Sequence, residues 1–243
     1  MKKNLFKKCL FIIALAVIFM VVISIMIKYE VEGEKVLPYS ISKILLVSTV
    51  DGKDFEITSP DVIWNIGVTQ VNDLYIYIDQ TMKTDAVIKE VKFENFRITE
   101  NPEIGKLKVL RPTGEIKNLY AYSEQDYLNS SITYTGSVID DLKSLEVSNV
   151  GGIVGFRFAL EELGVFTSNE NIEVTYDGKL LSNLGITIDQ IKYKAAFDVI
   201  ITTSENVSFK GTINLDMPVE DVIEKGSSSK EITDFSNVIF KRV

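Results

Sequence analysis

Near its N-terminus the chain has a run of 19 residues, 9–27, without a charged residue, a proline or a glycine. A helix of this length extends about 28 Å, close to the hydrocarbon thickness of about 30 Å in a bilayer. A soluble core helix would keep a polar face, and a cleavable signal peptide would end in small residues, whereas this run ends in Ile25, Met26 and Ile27. The run therefore predicts an uncleaved transmembrane helix, with a cleaved signal peptide as the main alternative.

The flanking charges predict how this helix is oriented. Four lysines lie among residues 1–8, and two lie among residues 28–42. Lysine and arginine are retained on the cytoplasmic side, so the N-terminus is predicted to be cytoplasmic. We expect a short basic cytoplasmic tip (1–8), a transmembrane helix (9–27), a stalk (28–42) and an extracytoplasmic domain (43–243) in the cell membrane.

The part of the chain beyond the helix is strongly acidic. Residues 1–28 hold five lysines and no acid, so the remainder has 21 basic and 34 acidic residues, a net charge of −13. Such a domain is expected to avoid nucleic acid and not to lie flat on anionic lipid. Its acids are spread along the chain, which is also what solubility alone would require.

Two residue types that support much of enzyme chemistry are nearly absent. The chain has no histidine, and its one cysteine, Cys9, lies at the start of the apolar run. Disulfides in the outer domain, Ser-His and Cys-His nucleophiles and the usual zinc ligand sets are therefore excluded. No cofactor and no metal is predicted.

The outer domain alternates between apolar and polar residues with the period of two that is typical of β-strands. Residues 72–79 are a clear example, and residues 191–201 and 207–215 predict a long antiparallel hairpin. Ten or more such segments and few helices predict a mainly β fold, an antiparallel sandwich-like or barrel-like domain. Residues 152–166 fit a strand and also one face of a helix, and we favour the strand.

Local signals predict the connections between these segments. The Asp-Gly pairs at residues 51–52 and 177–178 predict hairpin turns, and a change of phase at residues 94–95 predicts a β-bulge. A helical turn is predicted at residues 123–126 and a short helix, which Pro218 begins, at residues 218–225. A flexible stretch is predicted at residues 226–230 and a returning edge strand at residues 237–240.

The most suggestive group of surface residues is rich in tyrosine. A tyrosine ring offers a flat apolar face and a polar tip, which suit a glycan or a protein partner. Tyrosines that simply cover a sheet would follow the same pattern. The candidate partner-binding or glycan-binding residues are Tyr120, Tyr122, Asp126, Tyr127 and Tyr134.

Other motifs indicate little chemistry. Two S-x-x-K matches, at residues 40–43 and 227–230, lack the accompanying motifs of the penicillin-binding enzymes, and the acid pairs at 140–141 and 161–162 lack the spacing of an EF-hand. Two carboxylates that converge in a cleft would suffice for glycoside hydrolysis, and residue types alone leave that possibility open.

Together these patterns predict a non-enzymatic binding or scaffold protein of a bacterial cell envelope, held in the lipid bilayer through residues 9–27. Its expected partner is another envelope protein or a wall glycan. The alternative is an extracytoplasmic hydrolase that uses paired carboxylates. A ligand sensor is disfavoured, because an eight-residue cytoplasmic tip is too short to pass on a signal without a partner.

Overall fold

The structure, a computed structural model, describes residues 2–57, 59–113, 121–137, 145–170 and 172–243. It begins with one long helix, α1 (Lys2–Glu32). Within it, Leu10–Glu32 contains an 18-residue window with a mean hydropathy of 3.3, and none of that window is buried against the rest of the chain. By length and composition this is the one helix among the described residues that could cross a membrane.

The rest of the described chain is mainly β, as the alternation predicted. Three short helices, α2 (Gly178–Asn183), α3 (Ile188–Ile191) and α4 (Val222–Lys225), lie between strands. The strands are β1 (Tyr39–Asp54), β2 (Trp64–Gln80), β3 (Ile88–Glu100), β4 (Lys106–Leu110), β5 (Ile132–Gly136), β6 (Leu145–Val147), β7 (Gly151–Ser168), β8 (Tyr193–Thr203), β9 (Ser208–Met217), β10 (Ser228–Ile232) and β11 (Lys241–Arg242).

These strands form two sheets, so the fold is a sandwich and not a closed barrel. The five-stranded sheet has the order β10-β1-β2-β7-β4, and the six-stranded sheet has the order β11-β9-β8-β3-β5-β6. All pairs are antiparallel except β5 with β6. The predicted strand at 152–166 is confirmed as β7, and the predicted long hairpin is confirmed as β8 and β9.

The core lies between the inner faces of the two sheets. Phe156 of the first sheet contacts Phe93 and Phe197 of the second, with ring centroids 5.2 and 5.0 Å away. One polar network crosses this apolar interior. Asn72 Nδ2 donates to Tyr193 Oη (2.7 Å), and the Oδ1 of Asn72 accepts from Ser48 Oγ (2.6 Å). Because all of these side chains are almost fully buried, each depends on the others for its hydrogen bonds.

Both predicted Asp-Gly hairpins are wrong. β1 runs straight through Gly52, where a glycine is required because a Cβ would lie 2.0 Å from a ring carbon of Tyr176. Asp177 instead caps α2, and its Oδ1 accepts from the backbone N–H of Lys179 at 2.8 Å. An Asp-Gly pair thus serves close packing in one place and helix capping in the other.

The predicted bulge at residues 94–95 is confirmed. The register between β3 and β8 shifts from Glu94 to Arg97, and Asn95 has a φ of 55°. The extra residue brings both Asn95 and Arg97 to one carboxylate, that of Asp198 on β8. The change of phase in the sequence therefore marks the inserted residue that brings these two side chains to Asp198.

Several other local predictions differ from the structure. Residues 123–126 bend without forming a helix, and the stretch predicted to be flexible at 226–230 contributes to β10, which pairs with β1. The short helix begins at Val222 and not at Pro218. The returning edge strand forms at Lys241, one residue after the predicted segment, and pairs with β9. For β10 and β11, pairing with a partner strand overrides the local signal.

The end of α1 lies against the C-terminal segment. The Tyr29 hydroxyl accepts from the backbone N–H of Arg242 at 2.8 Å, and the N–H of Glu34 donates to the carbonyl of Phe240 at 2.7 Å. We call this side of the sandwich the α1 end. β1 starts there at Tyr39 and finishes at the opposite side, the far end, where Trp64 pairs with Ser168.

Candidate binding site

The structure distributes the predicted tyrosine group over different environments. Tyr120 lies outside the described residues. Tyr134 is buried in the core, where its hydroxyl donates to the carbonyl of Gly155 (2.6 Å) and accepts from its N–H (3.0 Å). Burial raises the pKa of Tyr134 to about 12. This hydroxyl therefore satisfies the backbone of β7 and does not reach the surface.

Asp126 and Tyr127 hold the chain that follows β4. Asp126 Oδ1 accepts from the N–H groups of Val109 (3.0 Å) and Leu128 (2.8 Å). The ring of Tyr127 is half-buried and lies 5.9 Å from the guanidinium of Arg111. Both residues have local structural partners, and neither lines the cleft described next.

Tyr122 is the member of the group that lies in a cleft, a cavity of about 740 Å³ on the outer face of the five-stranded sheet. The walls of the cleft come from β1, β2, β7, β4 and the segment after β4. It is lined by Asp51, Gly52, Lys53, Phe55, Gly67, Val68, Thr69, Val71, Lys108, Leu110, Tyr122, Ser123, Glu124, Arg157, Ala159, Glu161, Glu162, Gly164 and Val165.

Arg157 on β7 is the central charge of the cleft. Its guanidinium binds the carboxylate of Asp73 on β2 with two hydrogen bonds, Nε to Oδ1 at 2.7 Å and Nη2 to Oδ2 at 3.0 Å. Its Nη1 also contacts Asp51 at 3.3 Å, and the ring of Tyr122 covers it at 4.1 Å. Burial alone would lower the pKa of Arg157, but the bonds with Asp73 and the nearby charges raise it. The cleft thus has a fixed cation at its base.

The floor around this cation is apolar. Val71 on β2, Leu110 on β4 and Ala159 on β7 form a small buried cluster, and the ring of Tyr122 packs against it. Burial raises the pKa of Tyr122, and the negative charge of Asp73 raises it further. The floor therefore presents an apolar surface and a neutral phenol to whatever enters the cleft.

The wall of the cleft that β2 and β7 form contains an irregular backbone. The register between β2 and β7 shifts opposite Thr69, and Glu162 in the inserted segment has a φ of 61°. A left-handed backbone at a residue other than glycine costs energy and is concentrated at functional sites. Next to it Glu161 pairs with Lys108 at 2.7 Å, and this hydrogen bond raises the pKa of Lys108.

Sequence reasoning missed Arg157 and Asp73, although a signal was present. Both residues occupy outward positions of alternating strands, and they carry opposite charges. A buried charge in a strand is expected to have a partner on the neighbouring strand. The register that makes them neighbours, however, is visible only in the folded sheet.

A second charged cluster lies on the outer face of the other sheet, around Asp198. This carboxylate accepts hydrogen bonds from the four side chains of Asn95, Arg97, Lys210 and Thr212, at 2.8–3.0 Å. Burial alone would raise the pKa of Asp198, but the four hydrogen bonds lower it to about 2. All of its partners belong to the fold, which indicates a structural role.

Asp198 should therefore contribute to stability in a way that depends on pH. Because folding lowers its pKa, the ionised carboxylate stabilises the fold by about 2 kcal/mol. This contribution is full above about pH 4 and is lost as the pH falls through about 2. The free energy of unfolding of the wild type should exceed that of Asp198→Asn at neutral pH, and the difference should narrow on acidification. Denaturation curves of both proteins at several pH values would check this. A difference that stays constant would contradict the lowered pKa.

Among the described residues, no group of three or more acidic side chains is placed to hold a metal ion. Comparisons of the chain with protein-family models, with curated proteins and with solved structures each found no match. The function therefore has to be inferred from the fold and from the cleft.

Proposed function

We propose that the chain is a single-pass membrane protein with a cytoplasmic N-terminus, and that its extracytoplasmic β-sandwich binds a partner in the cleft at Arg157. The partner is a component of a bacterial cell envelope, either a protein or a wall glycan. The observation that carries this proposal is the cleft itself. A volume of about 740 Å³, an apolar floor and a few fixed polar groups are typical of binding sites.

The pairing of the charges in the cleft supports binding over catalysis. A glycosidase needs two carboxylates that face each other across a substrate. Asp51 and Glu161, which line the cleft, contact Arg157 and Lys108 respectively, and Asp73, which does not line it, also binds Arg157. These three carboxylates are thus oriented by cations. The alternative, a hydrolase, depends on Glu124 and Glu162, which also line the cleft.

A photocrosslinking residue in the cleft of the full chain tests the proposal in intact cells. We expect p-benzoylphenylalanine at the exposed position of Glu124 to form an adduct with the partner, and the same residue at Glu205, in the exposed turn between β8 and β9, to form none. Adding Thr69→Trp, which fills the cleft, should reduce the yield of the adduct by about tenfold or more. A steric clash that weakens binding by about 1.4 kcal/mol lowers the affinity tenfold. Digestion of the adduct with a protease or with a muramidase then shows whether the crosslinked partner is a protein or a wall glycan.

The matched control is Thr133→Trp. Thr133 is also half-buried on the outer face of a strand, but it belongs to the other sheet. This variant should leave the adduct unchanged. An adduct that persists when the cleft is filled, or the absence of any adduct at Glu124, would contradict binding of an envelope partner in the cleft. Release of reducing sugar from wall glycan by the purified chain, abolished by Glu162→Gln, would favour the hydrolase.

A further inference from the structure

Exposed apolar side chains continue from the cleft towards the far end of the sandwich. Phe55 and Val165 are each 45% exposed and also line the cleft. They adjoin at Gly67, which pairs with Val165 and lies under the ring of Phe55, where a Cβ would be 2.6 Å from the ring. Ile57, two residues after Phe55, is 49% exposed, and Ile63, whose N–H donates to the carbonyl of Ser168 at the end of β7, is 40% exposed. The cleft thus extends through Phe55 and Val165 towards further exposed apolar side chains at the far end, which we call the apolar extension, and exposed apolar patches mark interaction sites.

The surroundings of this surface are acidic. The chain segments that contribute to this surface, residues 51–57, 59–63, 161–170 and 172–177, contain nine carboxylates and one lysine. Two of these carboxylates, Asp51 and Glu161, are paired with cations. Five others have no ion pair within the described part of the chain, namely Glu56, Asp61, Glu162, Glu170 and Glu173. The chain segments that contribute to this apolar surface therefore carry an excess of negative charge.

This combination discriminates between possible occupants. A second copy of the chain would bring identical acidic chain segments together, because a two-fold interface pairs the same patch with itself. Anionic lipid and other polyanions are repelled for the same reason. A neutral glycan would leave Ile57, Ile63 and the unpaired carboxylates without a role. A protein segment with apolar and basic side chains complements both features.

We infer that the cleft and its apolar extension form one docking surface for a basic, partly apolar segment of a partner protein. This inference rests on the proposed function, because it uses the same cleft, and it assigns the chemical class of the partner. The segment would place apolar side chains on Phe55 and Val165 and would present lysines or arginines to the acidic chain segments of this surface. Its binding should be weakened by salt, which screens exposed charges.

The test uses the full chain in zwitterionic nanodiscs and a short, fluorescently labelled peptide of alternating leucine and lysine. This peptide should bind, whereas leucine–glutamate and serine–lysine peptides of the same length should not. Val165→Ser should weaken binding by about tenfold, because one exposed valine covered by a partner contributes about that much. Glu170→Gln combined with Glu173→Gln should weaken it as well, and should reduce its dependence on salt.

Matched controls separate docking from general attraction to an acidic protein. Ile153→Ser changes an apolar residue of the same strand that is 54% exposed but lies near the α1 end, and Glu205→Gln removes an acid from the turn between β8 and β9. Both should leave binding unchanged. Equal weakening by Ile153→Ser and Val165→Ser would overturn the inference, as would equal binding of the leucine–glutamate peptide.

The inference and the proposed function can fail separately. An adduct at Glu124 that muramidase removes and protease does not would keep the cleft as a binding site and overturn the assignment to a protein partner. Binding of the wild-type full chain in zwitterionic nanodiscs, but not of its Val165→Ser variant, to anionic vesicles would overturn it in favour of lipid. Absence of an adduct, with the leucine–lysine peptide bound as expected, would contradict the envelope partner and leave the docking surface supported.

Discussion

Replacing Arg157 with methionine should lower the free energy of unfolding by about 3–5 kcal/mol, because the carboxylate of Asp73 would stay buried without its partner. Asp73 is only 5% exposed, and Arg157 supplies two of its hydrogen bonds. Urea denaturation of the full chain in detergent would measure the loss. Trp64, the only tryptophan, provides the fluorescence signal at the far end of the sandwich.

A second substitution distinguishes the buried charge from lost packing. Asp73→Asn, added to Arg157→Met, removes the unpaired charge and should restore much of the stability, since replacing both members of a buried pair is far less costly than removing one. The two substitutions should therefore be strongly non-additive. If the double variant is as unstable as the sum of the single losses, the pair does not act as a unit.

The control for the arginine itself is Arg97→Met. The side chain of Arg97 is 39% exposed, and its partner Asp198 keeps hydrogen bonds from Asn95, Lys210 and Thr212. We expect a loss of about 1 kcal/mol or less, as for other exposed ion pairs. A loss as large as that of Arg157→Met would contradict the explanation that a buried carboxylate left without its partner causes the larger loss.

The second large effect is expected for Asn72→Leu. Leucine has a similar volume, but it leaves the Tyr193 hydroxyl and the Oε1 of Gln70 without their hydrogen-bond partner inside the sandwich. Each buried polar group left unsatisfied costs about 1–3 kcal/mol, so the free energy of unfolding should fall by about 3 kcal/mol or more. The same urea titration would measure it.

Asn214→Leu is the matched control. Asn214 also lies within a strand, β9, but its side chain is exposed. This substitution should change the free energy of unfolding by about 0.5 kcal/mol or less. If Asn72→Leu were equally mild, the polar network would be dispensable, and the apolar contacts alone would determine how the sheets are registered.

The strands could be predicted because burial of one face leaves a period of two in the sequence. Leu74, Ile76 and Ile78 all face the core, and the phase change at Asn95 marks a true bulge. The turns were harder to predict. Asp51 and Gly52 have the composition of a hairpin turn, yet the long ladder between β1 and β2 and the ring of Tyr176 keep this stretch extended. Strand pairing and side-chain packing therefore outweigh the local preference of these two residues for a turn.

The cleft was only partly predictable for the same reason. Tyr122 was found because it lies among other tyrosines in the sequence, but its important neighbours are Arg157 and Asp73, which are distant in the chain and adjacent in the sheet. Tyr134 has the same residue type and a neighbouring position, yet it faces the core. Residue type suggested which side chains could bind a partner, and only the register determined which of them meet.

The contact between α1 and the C-terminal segment has a mechanical consequence. The hydrogen bonds of Tyr29 and Glu34 with residues 240–242 connect the end of α1 directly to the sandwich. With α1 in the membrane as proposed, β1 acts as a spacer of fixed length. Asp51 at the cleft lies twelve residues beyond Tyr39, which is at most about 40 Å along the strand. The protein would then select its partner by height above the bilayer as well as by chemistry.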